Sequence, residues 1–215
     1  IFYQDYQGFV ETITTSSSSI PYVDDANASF TISGTASVGN TLSISEDSVD
    51  PNGTGTLRYS WQTSSNNSTW SPVGTNATYT VGASEEGKSI KAVIKYQDVQ
   101  GFDEIVTTST SSIPFVDDGD AGFSISGTAE VGQTLSIIQD TSDPDGTGTL
   151  IYSWQTSNDG NTWTEVGTNS TYAVGASEEG KSIKAVIKYQ DAQGFDETVN
   201  TSIKSIPFVD NGDAS

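Results

Sequence analysis

The sequence predicts an all-β chain of tandem β-sandwich domains, and three observations carry that expectation. The first is an uninterrupted internal repeat: Tyr3, Tyr96 and Tyr189 stand 93 residues apart, as do Pro21, Pro114 and Pro207. Phe30 and Phe123, and Trp61 and Trp154, keep the same interval, so no insertion or deletion breaks the register. The second is a composition dominated by Ser, Thr, Asn and Gly. The third is a succession of short alternating apolar runs between turn signals, with no long helical period.

The period decides the organisation. Solenoid repeats of roughly 20 to 50 residues cannot bury a core alone, whereas 93 residues match a sandwich domain of about 100. Residues 30–122 and 123–215 therefore read as two full repeats, each with its following linker. Residues 1–29 read as the C-terminal part of a preceding repeat, namely the end of strand F, strand G and a linker. That piece is shorter than the roughly 40 residues at which unstapled chains stop folding alone, so its strands belong with others.

In the second repeat the candidate strands follow in order. Residues 123–126 form strand A and 133–138 strand B; 150–156 form strand C, with Tyr152 and Trp154 alternating. Asn158-Asp159-Gly160-Asn161 is a hairpin turn signal, because Asp-Gly and Asn-Gly tolerate positive φ. Residues 162–166 supply the next strand and 171–174 strand E. Strand F, 181–190, alternates most clearly: Ile183, Ala185, Ile187 and Tyr189 face one way, Lys184, Val186 and Lys188 the other. Residues 195–206 supply strand G. Seven short strands suit an immunoglobulin-like sandwich, with Trp154 central against strands B and F. With no cysteine in the chain, Leu135 and Ile187 must give the contact that a disulfide gives in antibody domains.

Charge narrows the partners. With 28 acidic against 8 basic residues, net −20, the chain is unsuited to nucleic acid or an anionic membrane surface and suited to cations. No apolar run approaches the ~18 residues of a membrane span. The lack of cysteine removes disulfide and thiol chemistry and fits a secreted protein without requiring one. No methionine occurs, so Ile1 reads as the start of a processed or excerpted piece.

The runs VGQTLSI, DPDGTGTLIYSWQTSNDGNTWTEVG and YAVGASEEGKSIKAVIKYQDAQGFDE resemble the immunoglobulin-like repeats found in tandem in giant bacterial surface proteins and calcium-dependent adhesins. The resemblance covers both repeats and rests chiefly on the SWQTS hairpin and the VGASEEGKSIKAVIKYQD run. It implies an extracellular or cell-surface sandwich used as spacer or adhesive module, often with calcium, and no particular ligand.

Sandwich topology gathers the start of strand A, the BC loop and the FG loop at one pole. In the second repeat these carry Asp117, Asp118 and Asp120 on the linker, Asp140, Asp143 and Asp145 in the BC loop, and Asp191, Asp196 and Glu197 in the FG loop. Glu85 and Glu86, in the EF loop of the preceding repeat, are expected to approach the same junction. In the first repeat the positions are Asp24, Asp25, Asp47, Asp50, Asn52, Asp98, Asp103 and Glu104. Crowded carboxylates repel, and a divalent cation relieves the repulsion. Calcium takes roughly 6 to 8 oxygen ligands in flexible geometry, and without His or Cys a zinc or copper site is not expected. The plainer alternative is solvated, acidic loop tips that give solubility. In the first copy of the loop Val10 stands where the others have Asp103 and Asp196.

The chain has no histidine, and its acidic pairs lie on duplicated loops with no evident pocket, so an enzyme is not expected. Trp70 and Trp163 could stack on sugars or cover the edges of their own cores, and core packing is the preferred reading. N-x-S/T triplets carry no weight in a chain so rich in these residues. The expected role is a structural segment of a large secreted repeat protein, whether extender, fibre shaft or surface-layer element, rigidified by calcium at its inter-domain junctions. Its partners would be neighbouring repeats of the same chain and other copies in a fibre or layer. The alternatives are an adhesive module for glycan or protein, and a filament subunit that donates its N-terminal strands.

Overall fold

The computed structural model describes residues 1–210 and 212, so the last residues of the 123–215 repeat lie outside it. The chain divides into two compact units, Ile1–Pro114 and Phe115–Ser215, each described here by itself.

Unit 1 begins with a hairpin, β1 (Phe2–Gln4) against β2 (Val10–Thr12), in which every strand residue is exposed. Its sandwich follows with β3 (Ser29–Ser33), β4 (Thr41–Ser48), β5 (Arg58–Ser64), β6 (Ser71–Gly74), β7 (Thr78–Thr80), β8 (Ser89–Gln97), β9 (Asp103–Thr107) and β10 (Ser111–Ser112). One sheet has the order β3-β4-β7; the other has β6-β5-β8, with β9 and β10 both pairing with β8. All pairings are antiparallel, the arrangement that lets one sheet face meet the core and the other meet water.

Unit 2 repeats this with β11 (Gly122–Ser126), β12 (Thr134–Thr141), β13 (Ile151–Ser157), β14 (Thr164–Gly167), β15 (Thr171–Ala173), β16 (Ser182–Gln190), β17 (Asp196–Asn200) and β18 (Lys204–Ser205). The sheets β11-β12-β15 and β14-β13-β16, the latter with β17 and β18 along β16, make an immunoglobulin-like sandwich. Each core is centred on one fully buried tryptophan, Trp61 or Trp154. Trp154 lies opposite Ala185 of β16, stacks on Tyr172 at 5.7 Å between ring centres, and donates its indole N–H to Asn169 O at 2.9 Å. Leu135 and Ile187 belong to the same cluster, and Ile183, Ala185 and Tyr189 fill the inward face of β16 as its alternation requires. Val186, on the opposite face, is nevertheless buried.

The structure differs from expectation in three local respects. Strand B runs on to Thr141, because β11 pairs along it to the Gly122–Thr141 position. Strand G splits into β17 and β18 around Thr201, whose N–H donates to Ala185 O while its hydroxyl accepts from Ala185 N–H. Finally, the EF connections contain short 3-10 turns, Ala83–Glu85 and Ala176–Glu178, each closed by its own glutamate. Glu178 accepts from Gly175 N–H at 2.9 Å and from the Ser177 hydroxyl at 2.6 Å, and Glu85 repeats both bonds.

Candidate metal centre

The loop that recurs three times is shaped by its own aspartate. In unit 2 Asp191 Oδ1 accepts the backbone N–H groups of Gln193, Gly194 and Phe195 at 2.9, 2.6 and 2.8 Å. Gly194 supplies the left-handed conformation, φ 102°, that such a tight return needs. The isolated first copy folds the same way: Asp5 Oδ1 accepts from Gln7 and Phe9 N–H at 2.9 Å. The loop is therefore locally encoded, and in the two sandwiches it is delivered ready-made to the pole.

The BC loop meets it there. In Asp143-Pro144-Asp145-Gly146, Asp143 Oδ1 accepts from Asp145 N–H at 2.7 Å, and Gly146 turns the chain at φ 89°. A bridge between Thr147 and Asp191 holds the two loops together. From below, the Tyr189 hydroxyl donates to Asp143 Oδ2 at 2.6 Å and accepts from Ala121 N–H at 2.7 Å. Burial, then its bond to Asp143, pushes the Tyr189 phenol up to about 12. The linker closes the ring: Asp118 N–H donates to Asp145 Oδ2 at 2.8 Å, and Gln193 Nε2 donates to the other Asp145 oxygen at 2.8 Å.

Asp143, Asp145 and Asp191 thus bring one carboxylate oxygen each within 4.8 Å of the others, close enough to hold one metal ion. Two further atoms at the same pole are buried without a hydrogen-bond partner among the described residues, Asp191 Oδ2 and Gln193 Oε1. Both are acceptors, and Asp191 is only 7% exposed. A buried acceptor left unpaired costs about 1–3 kcal/mol, and more when it is charged. Beside them, contact with the Asp120 carboxyl, then burial and the negative charges of Asp120, Asp117 and Asp143, pushes Glu197 up to about 7. All-oxygen donors with concentrated negative charge make the chemistry of a hard divalent cation site.

Unit 1 has the same scaffold. Tyr96 donates to Asp50 Oδ2 and accepts from Ala28 N–H, both at 2.8 Å, and Asp98 Oδ1 caps the FG loop through Gly101 and Phe102 N–H. Asp98 Oδ2, Gln100 Oε1 and Glu104 Oε1 are buried without partners among the described residues. Burial first, then the charges of Asp24, Asp50, Asp98 and Asp103, raises the Glu104 carboxyl above its ordinary value.

Not every acidic residue expected at the pole faces it. Asp140 lies on β12, outside the BC loop, and accepts from the Ser124 hydroxyl at 3.0 Å. Asp47 on β4 likewise accepts from Thr31 at 3.1 Å. Asp196 and Asp103 begin their strands on the exposed face, each taking a 3.2 Å bond from Gln190 or Gln97, while Glu197 and Glu104 point inward. Val10 therefore matches an outward position of the sandwiches and Glu11 the inward one, although in the first copy both are exposed. Glu85 and Glu178 are taken up by their own turns. Asp117 accepts from Gly119 N–H within the linker at 2.9 Å. Sequence reasoning overlooked Gln193 and Gln100, although the recurring spacing in QDAQGF and QDVQGF was a signal for them.

Trp70 and Trp163 are half-buried outside both core clusters, and each carries a lysine over one ring face. Lys91 Nζ lies 4.1 Å from the Trp70 ring centre and Lys184 Nζ 4.7 Å from that of Trp163. Among the described residues no helix is long and apolar enough to cross a membrane.

No protein-family model matches the chain, and no curated protein sequence does. Solved structures do show similarity. One is described as a Ca2+-stabilized adhesin that helps an Antarctic bacterium reach out and bind ice, at 16% identity and TM-score 0.34 over 96% of this chain and 55% of that one. Another is a run of titin domains, at 15% identity and TM-score 0.30 over 79% and 60% of the two chains. A third is the 47-kilodalton lipoprotein of Treponema pallidum, at 10% identity and TM-score 0.20 over 93% and 56%. The chain spans between half and two thirds of the length of these structures. At such low identities and TM-scores the likeness carries no argument about function, which must come from the chain's own geometry.

Proposed function

We propose that the chain is a structural segment of a large extracellular repeat protein, serving as extender, fibre shaft or surface-layer element and stiffened by calcium at the head of each sandwich. The observation that carries this reading is the pair of buried, unpartnered acceptors, Asp191 Oδ2 and Gln193 Oε1, beside the Asp143, Asp145 and Asp191 oxygens. A cation there would satisfy all of them at once and tie the linker, through Asp118 and Asp120, to the BC and FG loops. Pinning the linker restricts how far the preceding segment can swing, which is what a spacer requires. Catalysis has no part in this reading, and the partners are neighbouring repeats and other copies of the chain.

Calcium added to chelator-treated protein should raise the melting temperature and narrow the spread of dimensions seen by small-angle X-ray scattering. Identical melting and scattering with calcium and with chelator would overturn the proposal.

A further inference from the structure

The two units do not present the same donor set. Asp120 and Asp145 of unit 2 correspond, 93 residues earlier, to Asn27 and Asn52 of unit 1. A carboxylate can only accept hydrogen bonds, whereas a carboxamide also donates through its nitrogen. In unit 2 Asp145 accepts on both oxygens, from Asp118 N–H and Gln193 Nε2, and its side chain has no donor of its own to offer the cluster.

In unit 1 the corresponding side chain balances itself. Amide orientation follows from hydrogen-bond partners. With the Asn52 oxygen turned toward Asp25, it accepts from Asp25 N–H at 3.2 Å, while the Asn52 nitrogen donates to Asp25 Oδ2 at 3.2 Å. The same turn places the Asn52 nitrogen 3.2 Å from the Gln100 amide nitrogen. Gln100, whose nitrogen otherwise donates to Asn52 Oδ1 at 3.2 Å while its oxygen is buried without a partner as Gln193 Oε1 is, then turns as well and offers its oxygen to Asn52. The amides thus bring an N–H donor, and with it part of the positive character a cation would bring, to a position where Asp145 can only accept. They do not supply all of it, since Asp98 Oδ2, on a residue 6% exposed, stays buried and unpaired.

We propose that the chain carries two divalent-cation sites of unequal strength, a tight one in unit 2 and a weaker one in unit 1, which fill in that order as the cation concentration rises. This rests on the calcium reading above and adds an order of loading to it. Ligand charge count is a principal control of calcium affinity in oxygen-donor sites, so having the Asn52 amide where unit 2 has the Asp145 carboxylate, with a second negative charge lost nearby at Asn27, should separate the sites by on the order of tenfold or more. An array built of such repeats would stiffen unit by unit over a range of calcium concentration, and its Asn or Asp at this position would set where each unit responds.

The test is calorimetric titration of calcium chloride into the full chelator-treated chain, with Asn52→Asp and Asp145→Asn variants. Two binding steps are expected. Asn52→Asp should tighten the weaker step by about tenfold and leave the stronger one in place, while Asp145→Asn should weaken the stronger step. Asn52→Asp restores the residue that unit 2 already tolerates, so it keeps the test decisive if Asp145→Asn fails to fold. Two equal steps in the native chain, or a weaker step unmoved by Asn52→Asp, would overturn the inequality while leaving calcium binding intact. Absence of binding heat together with an unchanged melting temperature would overturn the calcium reading and this inference with it.

Discussion

The Tyr189 hydroxyl donates to Asp143 Oδ2 at 2.6 Å while it accepts from Ala121 N–H at 2.7 Å, so one core phenol ties the BC loop to the incoming linker. Its ring packs in the core against Phe123, 6.3 Å away between centres, which fixes where the hydroxyl can be. Tyr189→Phe keeps the ring and strands both partners, Asp143 being only 5% exposed. A buried group left unpaired costs about 1–3 kcal/mol, so unit 2 should lose stability by that order in urea denaturation. Calcium affinity should fall with it, although no oxygen of the proposed ligand set has been removed. Unchanged stability and affinity would show that the phenol is a bystander.

Stability of the metal-free chain should fall as pH rises through the Glu197 transition. The carboxyl is pushed from an ordinary 4.5 up to about 7, first by contact with Asp120 and then by burial and neighbouring charge. Between those two values the native state holds a proton that the unfolded state has released, so the stability it contributes is full below about 4.5 and is lost by about 7. Glu104 is raised in the same direction. Asp159, held down to about 2 by the N–H groups of Thr162 and Asn161, acts in the opposite sense, but only below its ordinary 3.8. With chelator present, the melting temperature should therefore decline from pH 5 to pH 8. Glu197→Gln should flatten that decline, and saturating calcium should abolish it, the cation replacing the proton. A melting temperature that climbs over this range in chelator would contradict the assignment.

Trp154→Ala should cost unit 2 about 3–5 kcal/mol, the usual range for deleting a buried aromatic from a packed core. The indole is fully buried, and its removal also frees the Asn169 carbonyl. The Trp61 core shares no residue with the Trp154 core. Scanning calorimetry should accordingly show the transition of unit 2 moving down while that of unit 1 keeps its position.

The repeat interval and the alternation of Ile183, Ala185, Ile187 and Tyr189 were enough to read the sandwich, because a half-buried strand must alternate and identical spacing must fold alike. Asp159-Gly160 marked its hairpin for an equally local reason, Gly160 having φ 73°. What sequence alone does not fix is the face and the final residue of each strand. Asp140 and Asp143 look equivalent as letters, yet two more paired residues on β12 keep the first in the sheet, bonded to Ser124, while the second is buried and accepts from the Tyr189 hydroxyl. Asp196 and Glu197 are adjacent and opposite, so only the register of β17 tells which one turns inward. The role of Gln193 depends on a contact with Asp145, 48 residues away, that composition cannot show.

That contact depends in turn on how closely the two loops approach, and Gly148 sets the distance. Its N–H donates to Gln190 O at 3.0 Å, and a methyl group at its α-carbon would overlap the same carbonyl oxygen. A methyl group at Gly55 would likewise overlap the Gln97 carbonyl oxygen. The obstacle is backbone, not the end of a flexible side chain, so Gly148→Ala must push the BC loop away from the start of the FG loop. Overpacking of this kind costs about 1–3 kcal/mol. The displaced loop carries Asp143 and Asp145, and the loop it leaves carries Asp191 and Gln193, so the proposed ligands separate although each is still present. Gly148→Ala should therefore weaken calcium binding in unit 2 and leave unit 1 untouched, whereas Gly55→Ala should do the reverse. Calorimetric titration of both variants distinguishes a site assembled by loop contact from one in which any nearby carboxylates suffice, because in the second case neither alanine would change the affinity.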